Sequence, residues 1–228
     1  MGLFLRDTSF RTSDHEGVYR ALTEFWDSEG FELVPVPPPV PGSARTDCFT
    51  LHRGGDGWTH LGWTAGWEWD LRRRAQLHVS RALDCAGLLT FVYDGESWGY
   101  ELFESGAVRD QFVHWIEETF FFPGRDTTGR PDVLVDVFPE LALDAATVAG
   151  YLSPFPEDER DEPSWNVRVR PDDAYTRGDP LCFMDFWRML GIDVGVRDER
   201  ITLAAPVARR FGLRRVAQPA GWTSEARR

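Results

Sequence analysis

Apolar positions recur along this chain with two different periods, and the alternation between them divides it into strands and helices. Residues 3–5 read as a short first strand. Ser13 and Glu16 then stand in a capping-box relation, with the serine as N-cap and the glutamate three residues on. The apolar face Val18, Leu22, Phe25 and Trp26 follows at helical spacing, and Gly30 supplies a left-handed stop. Phe31 and Leu33 begin an extended segment, which ends where residues 35–41 place five prolines in seven positions. Proline fixes φ and removes an amide donor, so this stretch is a bridge and not a central strand.

Residues 47–52 and 58–63 flank Arg53-Gly54-Gly55-Asp56-Gly57, the pattern of a hairpin with a glycine-rich turn. Asp70 opens a second helix, whose Leu71, Ala75, His78 or Val79, Ala82 and Ala86 follow one face, with Gly87 as its stop before a strand at 88–93. Laying Gly87 over Gly30 aligns Val79 with Leu22 and Ala82 with Phe25, the outline of an internal duplication. Past Asp94-Gly95, Trp98, Tyr100 and Leu102 alternate with polar neighbours, and residues 108–112 return across Ser105-Gly106. This is an antiparallel meander. Residues 1–115 therefore predict an α+β domain, a curved antiparallel sheet carrying two helices on one face.

The following residues, 116–205, read as a more helical, loop-rich half packed on that domain. Asp144 can cap a helix running to Leu152, and residues 154–163 form an acidic, proline-bearing loop. Asp179-Pro180 has the form of an N-cap and a proline at the first helical position. Phe183, Phe186, Trp187 and Leu190 make an apolar stripe, then Gly191 and Ile192 offer a Schellman-type end. A strand at 200–203 precedes a basic tail, 206–228, in which Arg209, Arg210, Arg214 and Arg215 have the spacing of one helix side.

Charge narrows the function classes. The net charge is -12, and six arginines against Glu225 make the tail +5, which leaves -17 on residues 1–205. A body of that sign repels nucleic-acid phosphates and attracts basic proteins, so the main domain is not expected to bind nucleic acid. All 25 basic side chains are arginine, which excludes lysine Schiff-base chemistry. Cys48, Cys85 and Cys182 lie far apart, as reduced thiols do, and no apolar run reaches the roughly 18 residues that a membrane span needs. A cytoplasmic protein that does not enter membranes is the expectation.

Candidate chemistry centres on aromatic residues. Trp58, His60, Trp63, Trp67 and Trp69 place four indoles within twelve residues, and Tyr93, Asp94, Glu96 and Trp98 form the next such group. Large rigid aromatics anchor interfaces, so these nine residues are the candidate binding set; the alternative is that the indoles fill the groove between sheet and helix. The carboxylates Asp94, Glu96, Glu101 and Glu104 suit acid-base work only if two of them converge, and Asp172-Asp173 are similar. His52 and His60 flank the hairpin turn and are placed to approach each other across it. Histidines 15, 52, 60, 78 and 114 show no metal-binding spacing. The chain also lacks a nucleophile elbow and a phosphate loop, and no cofactor is expected.

Two segments carry a resemblance. Residues 93–103, with Trp98-Gly99-Tyr100-Glu101-Leu102-Phe103, and residues 185–192, with Asp185-Phe186-Trp187-Arg188, look like parts of uncharacterised bacterial α+β proteins, some similar in composition to toxin-immunity and other small antagonist proteins. The resemblance implies a non-catalytic protein that engages a basic protein partner, and it supplies no catalytic residue. Two rivals stand beside it. One is an enzyme or small-molecule sensor with a pocket lined by Trp63, Trp67, Trp69 and Tyr93; the other is an assembly subunit in which Phe183 and Trp187 meet a second copy of the chain.

Overall fold

A computed structural model describes residues 5–35, 48–63, 69–93, 97–114, 126–153, 163–193, 196–197, 202–203 and 209–215. The chain is an α+β protein. Its strands are β1 (Leu5–Phe10), β2 (Phe31–Pro35), β3 (Cys48–Arg53), β4 (Thr59–Trp63), β5 (Ala86–Tyr93), β6 (Ser97–Glu104), β7 (Ala107–Val113), β8 (Val196–Arg197), β9 (Thr202–Leu203) and β10 (Arg209–Arg215). The helices are α1 (His15–Ser28), α2 (Trp69–Ala82), α3 (Pro131–Val137), α4 (Ala145–Tyr151) and α5 (Cys182–Met189). Eight strands form one open sheet in the order β2-β10-β3-β4-β1-β5-β6-β7, every neighbouring pair antiparallel. Strands β8 and β9 pair separately.

Both faces of the sheet are covered. On one, α1 and α2 pack Val18, Leu22, Trp26 and Val79 against Phe10, Phe49, Leu61, Trp63 and Phe103. On the other, α3, α4 and α5 bring Leu134, Val148, Phe183, Phe186 and Trp187 onto Trp58, Leu88, Trp98, Tyr100 and Phe112. The two-sided burial explains why β5 and β6 are buried at nearly every position rather than at alternate ones. Helices α3, α4 and α5 thus form a third layer on the same sheet.

Local chemistry sets most boundaries. Asp14, one residue after the expected Ser13, caps α1 by accepting from the Gly17 amide at 2.8 Å, and Gly30 follows with φ +83°. Ser105 and Gly106 both have positive φ, as a tight hairpin turn requires between β6 and β7. Asp144 caps α4 through the Thr147 amide at 2.9 Å. The end of α5 is a full Schellman motif: the Gly191 amide donates to the Arg188 carbonyl at 3.1 Å and the Ile192 amide to the Trp187 carbonyl at 2.9 Å.

Several expectations are corrected. The first strand extends to Phe10, through the polar run Arg6-Asp7-Thr8-Ser9. Gly87 lies inside β5, where a Cβ would sit 2.3 Å from the Phe103 ring; Asp84, with φ +46°, makes the turn after α2 instead. The Gly30–Gly87 overlay therefore does not pair two helix stops, although α1–β2 and α2–β5 are each a 14-residue helix followed by a strand. Residues 209–215, read from sequence as part of a tail with helical spacing, form a strand that joins β2 to β3. No helix among the described residues is long and apolar enough to cross a membrane.

Candidate functional site

The described members of the expected binding set do not gather on one surface. Trp58 and Trp98 are buried with His60 against the α3–α5 layer, whereas Trp63 is buried on the opposite face against Trp26 and Phe49. Trp58, Trp63 and Trp98 thus fill the interior and not an exposed surface. Tyr93 is half-buried. Trp67, Asp94 and Glu96 lie outside the described residues, and Trp69 is described only as the first residue of α2. Phe183 and Trp187 are core residues as well, so they offer no face to a second copy.

What the fold does bring together is an interior row of polar side chains across the middle of the sheet. Strand β1 aims Asp7 and Ser9 at the α5 face, β3 adds His52, β4 adds His60 and β5 adds Thr90, all at most 5% exposed. Register makes the assembly: Ser9 pairs with His60, His60 with His52, and Asp7 with Thr90. Side chains directly opposite on adjacent strands stand close enough to touch. The Ser9 hydroxyl lies 2.9 Å from His60 Nδ1, and Asp7 Oδ2 lies 3.4 Å from His60 Nε2. The His52 and His60 rings are 4.7 Å apart between centroids. The approach expected from the hairpin is realised, and two partners from β1 are added to it.

Helix α5 closes over this row. The Trp187 indole stands edge-on to the His60 ring at 5.6 Å between centroids and donates from Nε1 to Thr90 Oγ1 at 2.8 Å. One turn further on, Trp58 Nε1 donates to the Leu190 carbonyl at 3.0 Å, which satisfies an orphan acceptor at the helix end. The hairpin turn docks there too, the Asp193 amide donating to the Gly54 carbonyl at 2.6 Å.

The hydrogen bonding of the row is incomplete. Asp7 Oδ1 accepts from the Trp63 amide at 3.1 Å and His52 Nδ1 donates to the Arg53 carbonyl at 2.9 Å. Asp7 Oδ2, His60 Nε2 and His52 Nε2 are buried without a hydrogen-bond partner among the described residues, a state that raises the free energy of the closed form. Burial, and then the charge of His60, push the His52 imidazole down to about 4. Among the described residues no group of three or more His, Cys, Asp or Glu is placed to hold a metal ion.

The contact order Ser9–His60–Asp7 is that of an acyl-transfer triad, in which a base oriented by a carboxylate takes the serine proton, but the ring nitrogens are exchanged, the serine meeting Nδ1 and the carboxylate Nε2. Here, however, Ser9 is 1% exposed and Trp187 lies over the imidazole, so no solvent-borne substrate reaches the hydroxyl in this arrangement.

The other buried acids hold structure together. Glu101 accepts from Arg73 Nε at 2.7 Å and from Gln111, tying α2 to β6 and β7. Asp110 accepts from the Tyr100 hydroxyl at 2.6 Å. Asp173 accepts from the Tyr151 hydroxyl at 2.8 Å, and Asp185 accepts from the Ala174 and Tyr175 amides. Asp185 in the second resemblance segment thus fixes the loop before α5. Sequence reasoning missed Asp7, Ser9 and Trp187 as members of one constellation, since a polar run in a strand carries no sign that both faces are covered.

Fold and interior row together define an open-sheet α+β protein with helices on both faces and a sealed polar centre. Compared with known proteins, the chain matches no family model, no curated protein and no solved structure.

Proposed function

We propose that the chain is a non-catalytic binding protein of the immunity or antagonist type, which engages a basic protein partner through its acidic exterior. The observation that carries this reading is the net charge of -12. Carboxylates stand on the outer surface of both helical layers: Glu16, Glu24 and Asp27 on α1, and Asp132, Asp136, Glu140 and Asp144 along α3 and the approach to α4 are exposed. With Trp58, Trp63 and Trp98 inside, recognition falls to these acids and to the long-range field they create. A field of this kind raises association rates and is screened within about 10 Å at 0.1 M salt.

The rival pocket between α1, α2 and the sheet has less support, because Trp63 is in contact with the Trp26 and Phe49 rings where that pocket would lie. The test is capture from source-cell lysate on the immobilised full-length chain, followed by association kinetics with whatever is retained. A basic protein whose association rate falls by roughly tenfold or more as salt is raised supports the reading. Retention of no protein, or a rate indifferent to salt, contradicts it.

A further inference from the structure

We propose that the seam between the sheet and α5 is an acid-opened latch, in which a second proton on the paired imidazoles His52 and His60 releases Trp187 and lifts α5 from the sheet. The argument starts from charge capacity. Among the described residues, Asp7 and Ser9 from β1 and Trp187 from α5 stand against the His60 ring, Trp187 also holds Thr90 of β5, and Asp7 and His60 are charges that act on His52. His15, the first residue of α1, acts on His52 with a charge of the same sign when protonated. The other ionisable groups of α5 are engaged elsewhere: Asp185 accepts the Ala174 and Tyr175 amides, Arg188 pairs with Asp173 and Asp185, and burial pushes the Cys182 thiol up, which keeps it neutral.

Among the described residues, Asp7 is thus the carboxylate that faces the pair. It neutralises one imidazolium. A second imidazolium, in a ring 4.7 Å away between centroids, would be buried with no further carboxylate facing it among the described residues. Two like charges under a closed indole are expelled by hydration, so the doubly protonated pair belongs to an open seam.

The sign of the pH dependence follows. His52 protonates at about 4 in the closed form and near its ordinary value of about 6.5 once hydrated. The closed form is fully favoured above the higher value and is lost as pH falls toward the lower, by up to tenfold per pH unit for each extra proton bound. What opens first is set by location: the paired imidazoles lie on the α5 face of the sheet, not on the face covered by α1 and α2.

Hydrogen exchange of the full chain, corrected for intrinsic rates and followed from about pH 7.5 to about pH 4, reads this directly. Peptides covering α5 are expected to lose protection at a higher pH than those covering α1 and α2. His52→Gln and His60→Gln each remove one imidazole and are expected to hold α5 closed to a pH lower by about one unit. Simultaneous loss in all three helices, retention of α5 protection to pH 4, or variants that fold and open at the wild-type pH would each overturn the latch. Should neither variant fold, the order of loss in the wild-type chain decides.

Discussion

His52 and His114 enter the folded interior as neutral imidazoles, each pushed down to about 4, with burial the largest cause. A histidine whose folded value is depressed leaves stability intact above its unfolded value and removes it as pH falls. Denaturant unfolding is therefore expected to show stability declining between about pH 6.5 and pH 4, with these two residues together adding up to about 2.7 kcal/mol per pH unit in the steepest part. A chain equally stable at both ends of that window would contradict the burial of the two rings. Gly99 tests the sheet at the same scale: a Cβ there would stand 2.4 Å from the Phe112 carbonyl oxygen and from the Phe91 ring. Gly99→Ala is expected to destabilise by about 1–3 kcal/mol in thermal or denaturant unfolding. How legible such residues are depends on whether their neighbours are local. The closeness of His52 and His60 follows from their places on either side of one turn, so the sequence displays it. Asp7 and Ser9 become interior only because β4, β5 and α5 surround them, which no local pattern records.

The elements with terminal chemistry of their own were the readable ones. Gly30, the Ser105-Gly106 turn, Asp144 and the Gly191-Ile192 helix end all perform the roles their residue types imply. The segment 209–215 shows the opposite case. Its arginines suit several structures, and pairing with β2 and β3, more than 150 residues earlier in the chain, selects the strand. The end of α5 gives a graded test. Gly191 has φ +70°, and a Cβ there would meet only Trp58 Nε1 at an ordinary 3.9 Å, so Gly191→Ala is expected to cost about 1 kcal/mol from backbone strain. Gly55, with φ +105°, would in addition press a Cβ to 2.4 Å from the Gly191 carbonyl oxygen, and Gly55→Ala is expected to cost about 2–3 kcal/mol. Equal effects of the two in denaturant unfolding would mean that the hairpin turn does not dock on α5.

At the scale of the whole molecule, the described residues build three layers, and β10 stands inside the sheet between β2 and β3. Removing residues 206–228 takes β10 from between β2 and β3 and leaves their hydrogen-bonding edges open. The truncated chain is expected to melt at lower temperature and to scatter light on concentration, whereas loss of a free tail would leave the melting temperature unchanged. The layered arrangement also explains where the aromatic density goes: with both faces of a sheet to cover, Trp26, Trp58, Trp63, Trp98 and Trp187 are consumed by the core. The central claim is that the Asp7–His60–Ser9 row and its His52 neighbour are sealed beneath α5. It is tested most directly by histidine-selective acylation at neutral pH, mapped by mass spectrometry on the folded and denatured chain. His52 and His60 are expected to stay unmodified until the chain is denatured; acylation of His60 in the folded protein would contradict it.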